Sequence, residues 1–129
     1  MKKLIFLLFL TVALVFVVGP LFAQETDLTG TWEGTTYVSN AGDDQVTLVL
    51  KKEGETYSGT FTDSMQLAIE SKLENTKFLD GTLTAEFMIF NGADYIRISL
   101  TLKVSGELLV GNWEEPSGQT GTLELKRKS

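Results

Sequence analysis

An internal repeat constrains the fold of this chain more than any other feature. The stretch Val46–Phe61, VTLVLKKEGETYSGTF, returns as Ile98–Trp113, ISLTLKVSGELLVGNW, with a Gly-Glu pair at the centre of each copy and an aromatic residue at its end. Apolar and polar side chains alternate before each Gly-Glu pair, which is the pattern of a β-hairpin. Because an isolated hairpin is only marginally stable in water, the two copies are expected to share one hydrophobic core.

Eight segments in total show the alternation of a half-buried strand. They are Leu28–Val38, Gln45–Lys52, Thr56–Thr62, Met65–Glu74, Thr82–Phe90, Tyr95–Val104, Glu107–Glu114 and Gly121–Lys128. The segment Met65–Glu74 also fits a helical stripe, but the neighbouring strands favour a strand here. Its inward residues are then Met65, Leu67, Ile69 and Leu73, with Ser71 as the one polar inward residue. The sequence therefore predicts an all-β fold, a small up-and-down antiparallel β-barrel of about eight strands, with an open sheet or a sandwich as the alternative.

The N-terminal segment has the order of a secretory signal peptide. Lys2 and Lys3 precede an apolar run that ends before Gly19-Pro20, and the small residue Ala23 follows. We expect residues 1–23 to be the signal peptide and residues 24–129 to form a single β-barrel domain, exported to the periplasm or secreted in a bacterium. The bulky Leu21 leaves an uncleaved segment as the alternative, and membrane attachment is expected only through that segment.

Composition narrows the classes of function. The chain has a formal charge of −6, and without Lys2 and Lys3 the charge becomes −8, which argues against binding of nucleic acid. Histidine and cysteine are absent from the sequence, so catalytic triads, disulfides and the usual zinc sites are excluded. No catalytic residue, metal site or cofactor is predicted, and a third interpretation, an enzyme, would need a pair of inward carboxylates. Asp43 and Asp44 could hold a calcium ion together with loop carbonyls, but the sequence has no EF-hand spacing, and we interpret them as part of a solvated loop.

Five aromatic residues have the inward parity of their predicted strands: Trp32, Tyr57, Phe61, Phe87 and Trp113. Together they could line an apolar cavity for a small hydrophobic ligand, and we predict them as the ligand-binding residues. The alternative is a filled core, because an eight-stranded barrel is just wide enough for its own side chains.

A second set of apolar residues has outward parity: Val49, Met88, Phe90, Leu108 and Val110. If the strands bring them together, they form a patch on the outer wall that is suited to a homodimer or a protein partner. Coverage of the wall by loops is the alternative.

The triplet Gly30-Thr31-Trp32 resembles the G-x-W motif on the first strand of lipocalins and other calycins. The resemblance implies that Trp32 closes one end of the barrel and that Arg127, on the last strand, packs across it. From Thr29 to Arg127 the chain also resembles small exported bacterial β-barrel domains in the order of its motifs. These are GTWEG, an alternating strand, an E-G turn, SGTF, a central pair of strands and a final hairpin with G-x-W. The chain lacks the C-terminal helix of lipocalins and the helical lid of fatty-acid-binding proteins, which argues against a large lipid-sized cavity.

The resemblance implies a non-enzymatic exported barrel that binds a small apolar ligand or a component of the cell envelope. The alternative is a protein interaction module, a dimer or an inhibitor, that acts through the outer wall.

Overall fold

The computed structural model describes residues 26–128, and the predicted signal peptide lies outside this range. The described residues form nine strands, which are β1 (Gly30–Val38), β2 (Gly42–Glu53), β3 (Thr56–Asp63), β4 (Ser71–Lys72), β5 (Glu74–Leu79), β6 (Thr82–Phe90), β7 (Tyr95–Ser105), β8 (Leu108–Glu114) and β9 (Thr120–Arg127). Between residues 26 and 128 no helix is long and apolar enough to cross a membrane.

All nine strands belong to one antiparallel sheet, in the order β4-β3-β2-β1-β9-β8-β7-β6-β5. The first and last long strands are neighbours, since Trp32 in β1 pairs with Arg127 in β9. The edge strands β4 and β5 are separated by Leu73 alone, and they bring the two ends of the sheet together. The predicted all-β antiparallel barrel is therefore confirmed as a nearly closed barrel, with nine strands instead of about eight.

Side chains complete the closure where strand pairing ends. Ser71 Oγ in β4 donates a hydrogen bond to the Met88 carbonyl of β6 at 2.6 Å. Thr56 Oγ1 in β3 donates one to the Thr76 carbonyl of β5, also at 2.6 Å. These contacts link strands across the seam, so little free sheet edge remains there.

The two repeat copies form equivalent hairpins, β2–β3 and β7–β8. In the first hairpin Leu48 pairs with Phe61, and in the second Leu100 pairs with Trp113. The glycines of the two turns have nearly the same positive φ, 65° at Gly54 and 62° at Gly106, which an L side chain rarely adopts. The predicted repeat is thus a structural repeat, and it places Phe61 and Trp113 at matching positions inside the barrel.

The predicted strand Met65–Glu74 is wrong over most of its length. Residues 64–70 form a loop, and β4 begins only at Ser71. Leu67 and Ala68 face the barrel interior, whereas Ile69, which was predicted to face inward, is 68% exposed. The sequence prediction also missed β5, whose pairing with β6 shifts register between Glu74 and Lys77.

Candidate functional site

One end of the barrel is closed by the short segment that precedes β1. Leu28 in this segment is fully buried, and its backbone N–H donates to the hydroxyl of Tyr57 at 3.0 Å. The indole N–H of Trp32 donates to the Leu28 carbonyl at 2.9 Å. Trp32 and Tyr57, two of the five predicted ligand-binding residues, therefore hold the closed end together.

Arg127 packs over Trp32 at this closed end, as the resemblance to calycins implies. The guanidinium carbon of Arg127 lies 4.3 Å from the centroid of the Trp32 ring. Its two terminal nitrogens donate hydrogen bonds to the carbonyls of Thr29 and Asp27. Arg127 thus binds the N-terminal segment and the tryptophan at once, which fixes the segment across the barrel end.

The opposite end of the barrel contains a cavity of about 290 Å³ that opens to solvent. The other three predicted ligand-binding residues, Phe61, Phe87 and Trp113, line it. The rings of Phe61 and Phe87 are stacked, with their centroids 4.1 Å apart and their planes at 17°. The structure therefore divides the five aromatic residues between two sites, with three in the cavity and two at the closed end.

The indole N–H of Trp113 has a hydrogen-bond partner within the cavity wall. This N–H donates to Thr36 Oγ1 at 2.9 Å, and Thr36 Oγ1 donates in turn to the Thr122 carbonyl at 2.7 Å. Gly121, the cross-strand partner of Trp113, leaves the space that the indole ring occupies. The ring is held in one orientation, so it offers a preorganised apolar surface to the cavity.

Two aspartates line the same cavity and are almost completely buried. Asp44 is 3% exposed and Asp63 is 7% exposed. Asp44 Oδ1 accepts hydrogen bonds from the Ser64 hydroxyl at 3.0 Å and the Met65 N–H at 3.1 Å, and Asp63 Oδ1 accepts one from the Ala68 N–H at 2.7 Å. Both carboxylates therefore hold the loop 64–70 beside the cavity.

One oxygen of this pair has no hydrogen-bond partner. Asp63 Oδ2 is buried, and no donor within the described part of the chain reaches it. Burial, followed by the hydrogen bond and the negative charge of the neighbouring Asp44, raises the pKa of Asp63 to about 6. At a pH below this value a protonated Asp63 can donate a hydrogen bond to Asp44, while at higher pH two negative charges share a buried site.

The sequence prediction missed both aspartates, although strand parity could have found them. Asp44 lies two residues before the inward Val46, and Asp63 lies two residues after the inward Phe61. Because side chains of the same parity face the same side of a sheet, longer strands would have placed both carboxylates inside. Asp44 was instead assigned to a solvated loop, an interpretation that its position in β2 overturns.

The five residues predicted for an outer apolar patch do not come together. Val110 and Phe90 lie near opposite ends of the barrel. The pairing of Val110 with Lys103, and of Lys103 with Thr82, places Val110 level with the start of β6, whereas Phe90 is the last residue of β6. Leu108 lies on β8 beside Val110, Met88 lies near Phe90, and Val49 lies on β2, separated from β8 by β1 and β9. The homodimer predicted through these residues remains a prediction, without a contiguous surface that joins all five.

The fold and the site define a nearly closed antiparallel β-barrel with one end plugged by its own N-terminal segment and an aromatic, acidic cavity at the other. Comparison with known protein families, with curated proteins and with solved structures finds no match to the chain.

Proposed function

We propose that this protein is an exported, non-enzymatic β-barrel that binds a small, largely apolar molecule in the cavity beside Phe61, Phe87 and Trp113. The observation that carries this proposal is the cavity itself, since the opposite end of the barrel is filled by side chains. Its volume of about 290 Å³ lies near the lower end of the range of about 300 to 1,000 Å³ for ligand pockets. A ligand with one ring or a short chain fits this size better than a long lipid.

The enzyme interpretation requires two inward carboxylates at a set separation. Asp44 and Asp63 both line the cavity, and each accepts hydrogen bonds from the loop 64–70. Holding this loop is the role that their contacts support.

Native mass spectrometry of the protein purified from its own host tests the proposed function. We expect a small molecule bound in a one-to-one complex and released when the protein is denatured. The matched variants are Ile89→Trp, which fills the cavity, and Ile69→Trp, which adds the same ring to the exposed loop. The proposal requires that Ile89→Trp lose the bound molecule and that Ile69→Trp keep it.

Two results would contradict the proposed function. One is a protein of bare mass that also fails to bind any small apolar compound when offered a set of them in solution. The other is a bound molecule that survives in Ile89→Trp, because the molecule would then occupy a different site. A dimer in the same spectrum would favour the alternative function, an interaction through the outer wall.

A further inference from the structure

We propose that the ligand is a small organic cation, whose ammonium group lies against Asp63 and Asp44 and whose apolar body lies among Phe61, Phe87 and Trp113. This inference rests on the proposed function, because it assigns a chemical class to the ligand of the same cavity.

The charge of the cavity lining is the first observation. Among the described residues that form the lining, three are acidic, Asp44, Asp63 and Glu115, and none is basic. Asp63 and Glu115 occupy equivalent positions of the repeat, each two residues after the inward aromatic residue of its copy. The two halves of the barrel therefore both direct a carboxylate toward the cavity, and a cleft lined by charges of one sign concentrates counter-ions.

The unpartnered oxygen of Asp63 is the second observation. This side chain is 7% exposed, and its Oδ2 accepts no hydrogen bond from residues 26–128. A buried acceptor without a donor is costly, and a buried carboxylate more so. Above about pH 6 Asp63 has lost the proton that it can donate to Asp44, and the pair carries two negative charges. An ammonium group beside the pair would then supply both a donor and the opposite charge, in a charge-assisted hydrogen bond.

The aromatic walls and the small volume of the cavity narrow the chemical class of the ligand further. Faces of aromatic rings attract organic cations, and Phe61, Phe87 and Trp113 surround the space beside the carboxylates. Within residues 26–128 no group of three or more acidic side chains is arranged to hold a metal ion. An organic ammonium ion with one apolar group thus matches the cavity better than a metal ion does.

Isothermal titration calorimetry with three probes of similar shape tests the charge preference. The probes are 2-phenylethylamine, which is a cation, 2-phenylethanol, which is neutral, and 3-phenylpropanoate, which is an anion. At about pH 7.5 the amine is protonated and Asp63 is ionised, since its pKa is about 6. We expect the amine to bind at least about tenfold more tightly than the alcohol, and the anion to bind most weakly.

Variants that neutralise one carboxylate at a time show which acidic residue causes the preference for the amine. Asp63→Asn keeps the acceptor for the Ala68 N–H and removes the charge, so we expect it to weaken amine binding about tenfold or more and to change alcohol binding by less than about twofold. Glu124→Gln, on the exposed outer face of β9, is the control for net charge and should leave both affinities unchanged. Glu115→Gln, in the loop after β8, provides a second test if Asp63→Asn does not fold, and we expect it to weaken amine binding selectively.

The outcomes separate this inference from the proposed function. If the alcohol or the anion binds as tightly as the amine, the cation assignment is overturned, while the cavity remains a binding site for apolar molecules. The cation assignment is also overturned if the folded Asp63→Asn and Glu115→Gln variants bind the amine as tightly as the native protein does. If none of the three probes binds the native protein, both the cation assignment and the proposed function are overturned.

Discussion

The carboxyl group of Asp63 makes the stability of the fold depend on pH. Its folded-state pKa of about 6 lies above the ordinary value of 3.8, chiefly because of burial and then because of Asp44, while Glu115 is the other acidic group in the same cavity. Between the two values the folded state holds a proton that the unfolded state has lost. The contribution of Asp63 to stability is therefore complete below about pH 4 and falls as the pH rises to about 6.

As the pH rises from about 4 to about 6, we expect the loss of this proton to lower the free energy of unfolding by an amount on the order of 1 to 3 kcal/mol. Urea unfolding of the native protein and of Asp63→Asn across this range measures the difference between the two pH profiles. Asp43→Asn, at the exposed neighbour of Asp44, is the control and should follow the native profile. A profile of Asp63→Asn parallel to that of the native protein would show that Asp63 does not hold the proton.

Arg127 stabilises the closed end through the shape of its side chain as well as its charge. Its planar guanidinium stacks on Trp32 and donates to two carbonyls of the N-terminal segment, a geometry that an ammonium group does not reproduce. We expect Arg127→Lys to lower the free energy of unfolding by about 1 to 2 kcal/mol and to leave probe binding at the cavity unchanged. Thermal or urea unfolding measures the change, with Lys126→Arg at the exposed neighbour as the control. An unchanged stability of Arg127→Lys would mean that the charge alone is sufficient.

Individual side chains show what sequence reasoning could and could not supply for the site. The inward parity of Phe61, Phe87 and Trp113 was sufficient to predict that these rings face a shared interior. Parity shows which face of a strand a side chain lies on, but not where it lies along the barrel axis. Trp32 was therefore included among the predicted ligand-binding residues, although it lies at the other end of the barrel. The missing information is strand register, which depends on contacts between residues far apart in sequence.

The two repeated hairpins depend on glycines within their second strands. At Gly59 an added Cβ would overlap the backbone carbonyl oxygen of Val49, and at Gly111 it would overlap that of Thr101, the equivalent residue of the second copy. The hairpin backbones thus approach each other closely at the same point in both copies.

We expect Gly59→Ala to lower the free energy of unfolding by more than about 2 kcal/mol, because the added methyl group overlaps backbone atoms rather than the end of a flexible side chain. Chemical unfolding measures the loss, and Ser58→Ala on the same strand is the control, which should cost less than about 1 kcal/mol. Equal stability of the two variants would show that the strands separate without penalty and that the close approach is not required.

The secondary structure was predicted wrongly only around β4 and β5, the two edge strands of the sheet. The hairpins were predictable because each has strict alternation and a turn marked by glycine. Residues 64–79, which precede the Asp80-Gly81 turn, lack both features: Gln66, Glu70 and Asn75 have positive φ without being glycine, and the pairing of β5 with β6 shifts register. These irregular conformations are stabilised by tertiary contacts, such as the bond from the Phe90 N–H to the Leu67 carbonyl at 2.8 Å. Local sequence does not contain that information.

The barrel as a whole combines a filled end and an open end along one axis. Leu28, Trp32 and Arg127 close the first, and the aspartates and three aromatic rings surround the second. A rigid barrel with a preformed opening requires little reorganisation to bind a ligand, because the cost of ordering the site is already met on folding. The two ends therefore have different roles, and we expect a ligand to bind at the open end only.

The two tryptophans of the sequence provide a direct test, since one lies at each end. In a ¹H–¹⁵N correlation spectrum each indole N–H gives one peak, and Trp113→Phe assigns the two by removing one of them. On titration with 2-phenylethylamine, we expect the Trp113 peak to shift in a saturable manner and the Trp32 peak to stay in place. A saturable shift of the Trp32 peak with a stationary Trp113 peak would contradict the assignment of the binding site to the open end of the barrel.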